Sequence, residues 1–256
     1  QTSIADLFIA GIGPALVLTF LMLSYAIIQN FGHREGNWDF SYVLRSLKNG
    51  IWALLMPIII LGGIYTGYFT ATESAAVAVV YSIIVETLIH KEMKWNVLYE
   101  VISETTTLLG SLFPVLMIAL SLNVFLTYEE VPQNLVIWLS QRIDNPVSAL
   151  LGINLFLLVI GCLVDIGSAI LILAPMLGPI AYSQGIDPIH FGIIMVMNLE
   201  IGYLTPPLGL NIIIAMGIFK EKFWTVCKST IPFLLIMLLG LMIVSFIPAI
   251  SLFLIN

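Results

Sequence analysis

The chain has 256 residues, of which 60% are hydrophobic and only 9% are charged, and its mean hydropathy is +1.07. This composition excludes an ordinary soluble domain and is typical of a helical protein that crosses the membrane several times. The net charge of −6 says little by itself, because in a membrane protein the placement of lysine and arginine matters more than the sum.

Long apolar stretches predict the membrane spans, and amphipathic stretches predict helices that lie along the interface. We predict spans at 7–29, 50–66, 74–90, 109–127 and 231–250. Short interfacial helices are predicted at 41–48, 96–108 and 133–143.

A turn rich in hydroxyl groups precedes the third span. Thr72 or Ser74 is expected to cap the following helix. Glu73 suits the positive end of that helix, and a helix-capping role and a role in a binding site are equally open for it. Glu86 lies near the end of the same span, where it can extend to the interface.

Residues 147–182 hold two apolar legs around a tip made of a carboxylate, a glycine and a hydroxyl: Asp165, Gly167 and Ser168. A charged residue at membrane depth is costly and normally faces a partner, an ion or a water-filled cavity. Irregular backbone is tolerated there only where it is buried in protein or lines a cavity. We therefore predict a re-entrant helical hairpin with its tip near the middle of the bilayer.

A second interruption falls in the helix predicted at 189–213. Gly202 and Gly209 bracket Thr205 and two consecutive prolines, which remove two backbone donors, so we predict a discontinuous helix whose second half begins at about Pro206. Half-helix ends that meet in the membrane are a common way to build sites for Na⁺ and anionic substrates.

The two interruptions together predict a sodium site made of oxygen atoms. Its expected members are Asp165, Gly167, Ser168, Gly202 and Thr205, with Asn198 and Asn211 nearby. The structural alternative is that both interruptions are mere kinks, since proline and glycine are frequent in membrane helices. The role of Glu200 is left open.

With a re-entrant hairpin, eight of the nine basic residues fall on one side of the membrane and only Arg142 on the other. The positive-inside rule makes the first side the cytoplasm and places the C-terminus in the periplasm. Two full spans in place of the hairpin would give the same sides, so the charges do not establish re-entrance.

Other classes of function lack support in the residues. The two cysteines show no disulfide or metal spacing. No histidine stands at helical spacing from a nucleophile, and no basic and aromatic pattern indicates nucleic acid, so we predict that the chain is not an enzyme and binds no nucleic acid. A chain that begins with Gln1 is expected to be a fragment or a processed piece.

Four long runs of sequence carry a resemblance to a known family. They cover Gly63–Tyr81, Asp165–Pro175, Gly185–Met195 and Asn198–Asn211. On these runs the chain resembles the large membrane (M) subunit of a tripartite ATP-independent periplasmic (TRAP) transporter. That subunit is about twice this size and has two inverted repeats, so the resemblance is to the second repeat and its lead-in.

The resemblance implies an all-α polytopic membrane protein with an elevator-type ion-transporter fold, in the bacterial inner membrane. It implies scaffold spans and arm helices at 1–146, a transport-domain half at 147–213, and a final span within 214–256. It further implies uptake driven by Na⁺ of a small organic acid, such as a sialic acid or a C4-dicarboxylate. The expected substrate-binding residues are Asp165, Ser168, Asn211 and Glu73.

The partners implied are a small four-helix membrane subunit of the Q type, a periplasmic substrate-binding protein of the P type, the N-terminal half of the large subunit, and lipid. Two alternatives remain at this point. One is a divalent-anion/Na⁺ symporter that needs no binding protein, and the other is a membrane assembly subunit that does not transport.

Overall fold

The computed structural model describes residues 3–31, 40–131, 134, 137, 145–207 and 209–255, which form helices and turns with no strand. Apart from two of its residues, the interfacial helix predicted at 133–143 lies outside this part of the chain, as do Arg34 and Arg142. Within it, five helical segments are long and apolar enough to cross a membrane, which confirms the prediction of a polytopic all-α protein. They are Ile4–Gln29, Phe40–Tyr65, Ala71–Ile89, Ile166–Ser183 and Phe223–Phe246.

We number the helices of the described residues in chain order. They are α1 (Ile4–Ala10), α2 (Ile12–Gln29), α3 (Phe40–Tyr65), α4 (Ala71–Ile84), α5 (Trp95–Tyr128), α6 (Pro146–Gly161), α7 (Ile166–Ser183), α8 (Pro188–Tyr203), α9 (Leu210–Phe219), α10 (Phe223–Phe246) and α11 (Ala249–Leu252). A π-helical turn, Val85–Ile89, continues α4.

The chain divides into two compact units, and residues 30–111 form the smaller one. Within it, α3 packs against α4, and the hydroxyl of Tyr81 donates a hydrogen bond of 2.7 Å to the backbone carbonyl of Trp52. The prediction that Thr72 or Ser74 caps α4 is wrong. Thr70 is the cap, because it alone precedes the helix in an extended conformation and accepts from the N–H of Glu73.

Residues 1–29 and 112–256 form the larger unit, which is arranged around α8. This helix contacts α1, α6, α7, α9, α10 and α11. Ten of its 16 residues are buried, and a helix that is apolar on nearly every side belongs in the interior of a bundle. The position of α8 brings the sequence just before the predicted break into contact with the hairpin.

The predicted hairpin is present as α6 and α7, which pack against each other and against α8. Leu157 of α6, Ala169 of α7 and Leu199 of α8 lie in one buried apolar cluster. The two legs have 16 and 18 residues, or about 24 and 27 Å at 1.5 Å per residue. These lengths fit both a re-entrant pair and a pair that nearly spans, so re-entrance stays a prediction.

Two helices are longer than the sequence predicted. The expected interfacial helix at 41–48 and the second span form one helix, Phe40–Tyr65, and the segments at 96–108 and 109–127 form another, Trp95–Tyr128. The pattern of apolar residues changes at both junctions, but no proline interrupts the backbone hydrogen bonds there. A single glycine such as Gly50 costs only about 1 kcal/mol within a helix, which is too little to end it.

Candidate functional site

The tip of the hairpin is organised by the carboxylate of Asp165, the N-cap of α7. Its Oδ2 accepts hydrogen bonds from the backbone N–H of Ser168 at 3.0 Å and from the Ser168 hydroxyl at 3.2 Å. A Cβ atom on Gly167 would lie 3.2 Å from the same oxygen, so a small residue suits this position. An aspartate before an apolar helix is a strong cap, and the local sequence explains the geometry. The three predicted tip residues lie together.

The other carboxylate oxygen of Asp165 faces the end of α8. The hydroxyl of Tyr203 donates to Oδ1 of Asp165 at 2.6 Å, and the same hydroxyl accepts from the backbone N–H of Ile166 at 3.1 Å. Sequence reasoning missed this residue, because an aromatic side chain in a membrane helix is most simply a packing or lipid-facing group. The phenol connects the hairpin tip directly to the broken helix.

The backbones of α6 and α8 touch at two glycines. A Cβ atom on Gly202 would overlap the Cα and carbonyl carbon of Gly161 and would lie 2.9 Å from the backbone nitrogen of Cys162. Both glycines are buried, and each lies at the C-terminal end of its helix. Small residues allow membrane helices to approach this closely. The C-terminal ends of two helices therefore meet at one place.

Thr205 follows the end of α8. Its hydroxyl donates to the carbonyl of Ile201 and its N–H donates to the carbonyl of Gly202, both at 2.8 Å. With Cys162, Thr205 lines a cavity of about 350 Å³ whose other walls are apolar side chains of α6, α8 and α10. Asp165 does not line this cavity. Asp165 is connected to the end of α8 through Tyr203, two residues before Thr205.

The first half-helix ends at Tyr203. The second half-helix begins at Leu210 and not at about Pro206 as predicted, because Gly209 has a left-handed conformation (φ 45°) that no helix can continue through. In the first turn of this helix, the amide of Asn211 donates to a carboxylate oxygen of Glu200 at 3.3 Å. Glu200, whose role the sequence left open, therefore has a partner across the break.

Asn198 lies away from these groups, in a buried polar network. Its amide nitrogen donates to the side-chain oxygen of Asn154 at 2.7 Å and to the carbonyl of Ile194 at 2.8 Å. Asn154 in turn donates to the hydroxyl of Ser245 at 3.2 Å. His190, which also lies on α8, is buried, and its Nε2 is 3.3 Å from the backbone carbonyl of Ser245 on α10. This network ties α6, α8 and α10 together.

Glu73 belongs to the smaller unit. Its Oε2 accepts from the N–H of Thr70 at 2.8 Å and from the Thr70 hydroxyl at 2.9 Å, and together with the bond from the Glu73 N–H these contacts make a reciprocal capping box. The carboxylate therefore stabilises the start of α4. Of the two roles that the sequence left open, capping and substrate binding, this is the capping role. A substrate role for Glu73 stays a prediction.

The fold and the site define a class: a multi-pass helical membrane protein in which a polar hairpin tip meets a broken helix. Residues 1–250 match the family model described as the DctM component of the tripartite ATP-independent periplasmic transporter. The chain belongs to this family, which confirms the resemblance drawn from its sequence.

Relatives in the family transport different acids, by their names. The chain is 38% identical over 266 residues to the C4-dicarboxylate TRAP transporter large permease protein DctM of Pseudomonas aeruginosa, covering 100% of this chain and 61% of that protein. It is 35% identical over 260 residues to the isethionate TRAP transporter permease protein DctMQ of Oleidesulfovibrio alaskensis, covering 99% and 40%. It is 33% identical over 260 residues to the sialic acid TRAP transporter large permease protein SiaM of Vibrio cholerae, covering 99% and 60%.

The chain thus spans between 40% and 61% of the length of these three relatives. All three are transport permeases and not enzymes, which agrees with the prediction that this chain is not an enzyme.

Proposed function

We propose that the chain is part of a secondary transporter that uses a Na⁺ gradient to take up a small organic acid, of C4-dicarboxylate or sialic acid type. The observation that carries the proposal is the contact between Gly161 and Gly202, which brings the C-terminal ends of α6 and α8 together.

Backbone electrostatics explain why this contact favours a cation. The last carbonyls of a helix have no partner within the helix, and its aligned peptide dipoles leave the C-terminal end negative. Two such ends in contact repel each other unless they are compensated. Thr205 donates to the carbonyls of Ile201 and Gly202, and a cation would compensate the negative charge that remains. Half-helix C-terminal ends and unwound carbonyls are used in this way to bind Na⁺ in many secondary transporters.

The oxygens that we assign to Na⁺ come from both sides of this contact. They are those of Asp165, Gly167 and Ser168 at the tip, and of Gly202 and Thr205 at the break. Asp165 already accepts from Tyr203 and Ser168. We therefore propose that Asp165 acts mainly by shaping the tip and by adding negative charge.

The start of α9 supports an anionic substrate. Its N-cap, Gly209, has no side chain, and within the described residues no side chain accepts from the first backbone N–H groups of this helix. Backbone N–H groups at such an end bind carboxylates and related anions. The substrates named for the three relatives are all organic acids. We propose that the acid group binds near Asn211, where it would replace Glu200 as the acceptor of the Asn211 amide, and that Asp165 and Ser168 complete the substrate site.

The proposed transport cycle is of the elevator type. The transport-domain half, 147–213, moves with its bound substrate and Na⁺ relative to the scaffold. Na⁺ and substrate favour each other's binding because each reduces the cost of ordering the tip and the break for the other.

We propose the bacterial inner membrane as the location, with the C-terminus in the periplasm. The proposed partners are a periplasmic binding protein that delivers the substrate, a small four-helix membrane subunit, the N-terminal half of the large subunit, and the surrounding lipid. A large permease of this family would need both other components for uptake.

The test is uptake of labelled C4-dicarboxylate or sialic acid by the complete transporter in proteoliposomes, with its binding protein outside. We expect uptake to require an inward Na⁺ gradient, to stop when the gradient is collapsed, and to fall in Asp165→Ala and Thr205→Ala. Uptake that is equal with Na⁺ and with choline would contradict the proposal. Uptake that persists without the binding protein would indicate a symporter of the divalent-anion type instead.

A further inference from the structure

Tyr203 is the last residue of α8, and its hydroxyl makes two hydrogen bonds to the hairpin tip. It donates to Oδ1 of Asp165 at 2.6 Å and accepts from the N–H of Ile166 at 3.1 Å. One contact is to a side chain and the other to the backbone, so the hydroxyl holds both the carboxylate and the first turn of α7. Neither contact joins neighbours in sequence, since they span 38 and 37 residues.

The two bonds have different consequences for the tip. The N–H of Ile166 is one of the first donors of α7 and has no acceptor within that helix, so the phenol oxygen satisfies a group that would otherwise need water. The bond to Asp165 is to a charged acceptor, which makes it stronger than a bond between neutral groups. The tip cannot move away from the end of α8 without losing both bonds.

We propose that Tyr203 is a positioning residue: a latch that holds the hairpin tip against the broken helix and so preforms the sodium site. The inference rests on the proposed function, because it assigns to Tyr203 the task of keeping the oxygens of that site in place. Na⁺ then binds a tip that is already ordered. Its apparent affinity for this tip is higher than for a tip that spends part of its time away from α8. Binding of Na⁺ and the position of the tip are coupled through one hydroxyl.

Tyr203→Phe removes the hydroxyl and keeps the ring. In the complete transporter without Na⁺, hydrogen exchange of the peptide that contains Ile166 should become roughly tenfold faster, since the amide loses its acceptor and the tip loses a charged hydrogen bond. Tyr182→Phe, the same change on α7 where the ring packs against Phe191, is the control and should leave this peptide unchanged. Equal exchange in Tyr203→Phe and the unaltered protein would overturn the latch.

The sodium dependence of uptake tests the coupling. Tyr203→Phe should raise the Na⁺ concentration for half-maximal uptake roughly tenfold, with a smaller change in the maximal rate. When Asp165→Ala is already present, adding Tyr203→Phe should raise the half-saturating Na⁺ concentration much less, because one partner of the latch is already gone. An unchanged half-saturating concentration would overturn the coupling. If uptake by the unaltered protein does not depend on Na⁺, the proposed function is wrong. The hydrogen-exchange experiment would then still test whether Tyr203 holds the hairpin tip.

Discussion

Gly202 lies so close to Gly161 that a methyl group on the first would overlap the backbone of the second. The contact joins the end of α6, in the hairpin, to the end of α8, at the break. Everything proposed for the site depends on it, because it is what places two sets of helix-terminal carbonyls side by side. It also makes glycine necessary at a position where no turn or positive φ requires one.

Gly202→Ala should therefore push α6 and α8 apart. We expect a loss of about 1–3 kcal/mol in stability from overpacking, and loss of Na⁺-dependent uptake. Thermal unfolding in detergent and uptake in proteoliposomes measure the two effects.

Gly152→Ala is the matched control for that variant. Gly152 lies on α6 with open space around the Cβ position, and alanine there should leave stability unchanged or raise it by up to about 1 kcal/mol. If Gly202→Ala and Gly152→Ala have the same effect on stability and on uptake, the contact between Gly161 and Gly202 is not required for either.

Thr205 offers a hydroxyl at the end of α8, and we expect its oxygen to matter more than its shape. Thr205→Ser keeps the oxygen and should retain Na⁺-dependent uptake. Thr205→Val keeps the shape and should raise the half-saturating Na⁺ concentration by roughly tenfold, the typical worth of one polar contact. If valine supports uptake with the sodium dependence of threonine, the hydroxyl is not a ligand.

Asp165 has two separable tasks, the cap of α7 and a negative charge near the proposed cation. Asparagine is as good a cap as aspartate, so Asp165→Asn should lose only the charged character of the bond from Tyr203, whereas Asp165→Ala should lose about 1 kcal/mol more because the cap is also gone. Both variants remove the charge, and both should weaken Na⁺ dependence about tenfold or more, as expected for a charge at close range. An asparagine variant with normal sodium dependence would leave Asp165 with the capping task alone.

Thr70 and Glu73 form the capping box of α4. Thr70→Ala should lower the free energy of unfolding by about 1 kcal/mol, whereas Glu73→Gln, which keeps the reciprocal bond, should change it by much less. The second measurement is the rate of uptake as a function of substrate concentration. A large rise in the half-saturating substrate concentration in Glu73→Gln would show that the carboxylate does more than cap.

The hairpin and the break could be predicted from the sequence because each has a recognisable local pattern of residues. A carboxylate between two apolar legs and two prolines inside an apolar helix are visible without any knowledge of the fold. The sequence could not predict that Tyr203 reaches Asp165, since that contact depends on how α8 packs against the hairpin. The pairing of Gly161 with Gly202 is of the same kind, because glycine is common in membrane helices and only the packing shows which two meet.

The predicted boundaries of several helices were wrong, for physical reasons that differ from one helix to the next. The start of α9 depends on the left-handed conformation of Gly209, which sequence reasoning did not weigh against the prolines before it. The long helices α3 and α5 show that a change from amphipathic to apolar sequence marks a change of surroundings and not an end of the helix. Asn198 is buried in a polar network with Asn154, a contact that depends on the packing of α8 against α6 and that the sequence does not show.

The central claim is that the hairpin tip and the break hold Na⁺ between them. Hydrogen exchange of the complete transporter in NaCl and in choline chloride, at equal ionic strength, tests it most directly. We expect Na⁺ to slow exchange in both segments, 161–168 and 202–207, over the same range of concentration. We expect Thr205→Val to raise the Na⁺ concentration needed for this effect equally in both segments. Exchange that is the same in the two salts, or slowed in only one of the segments, would contradict it.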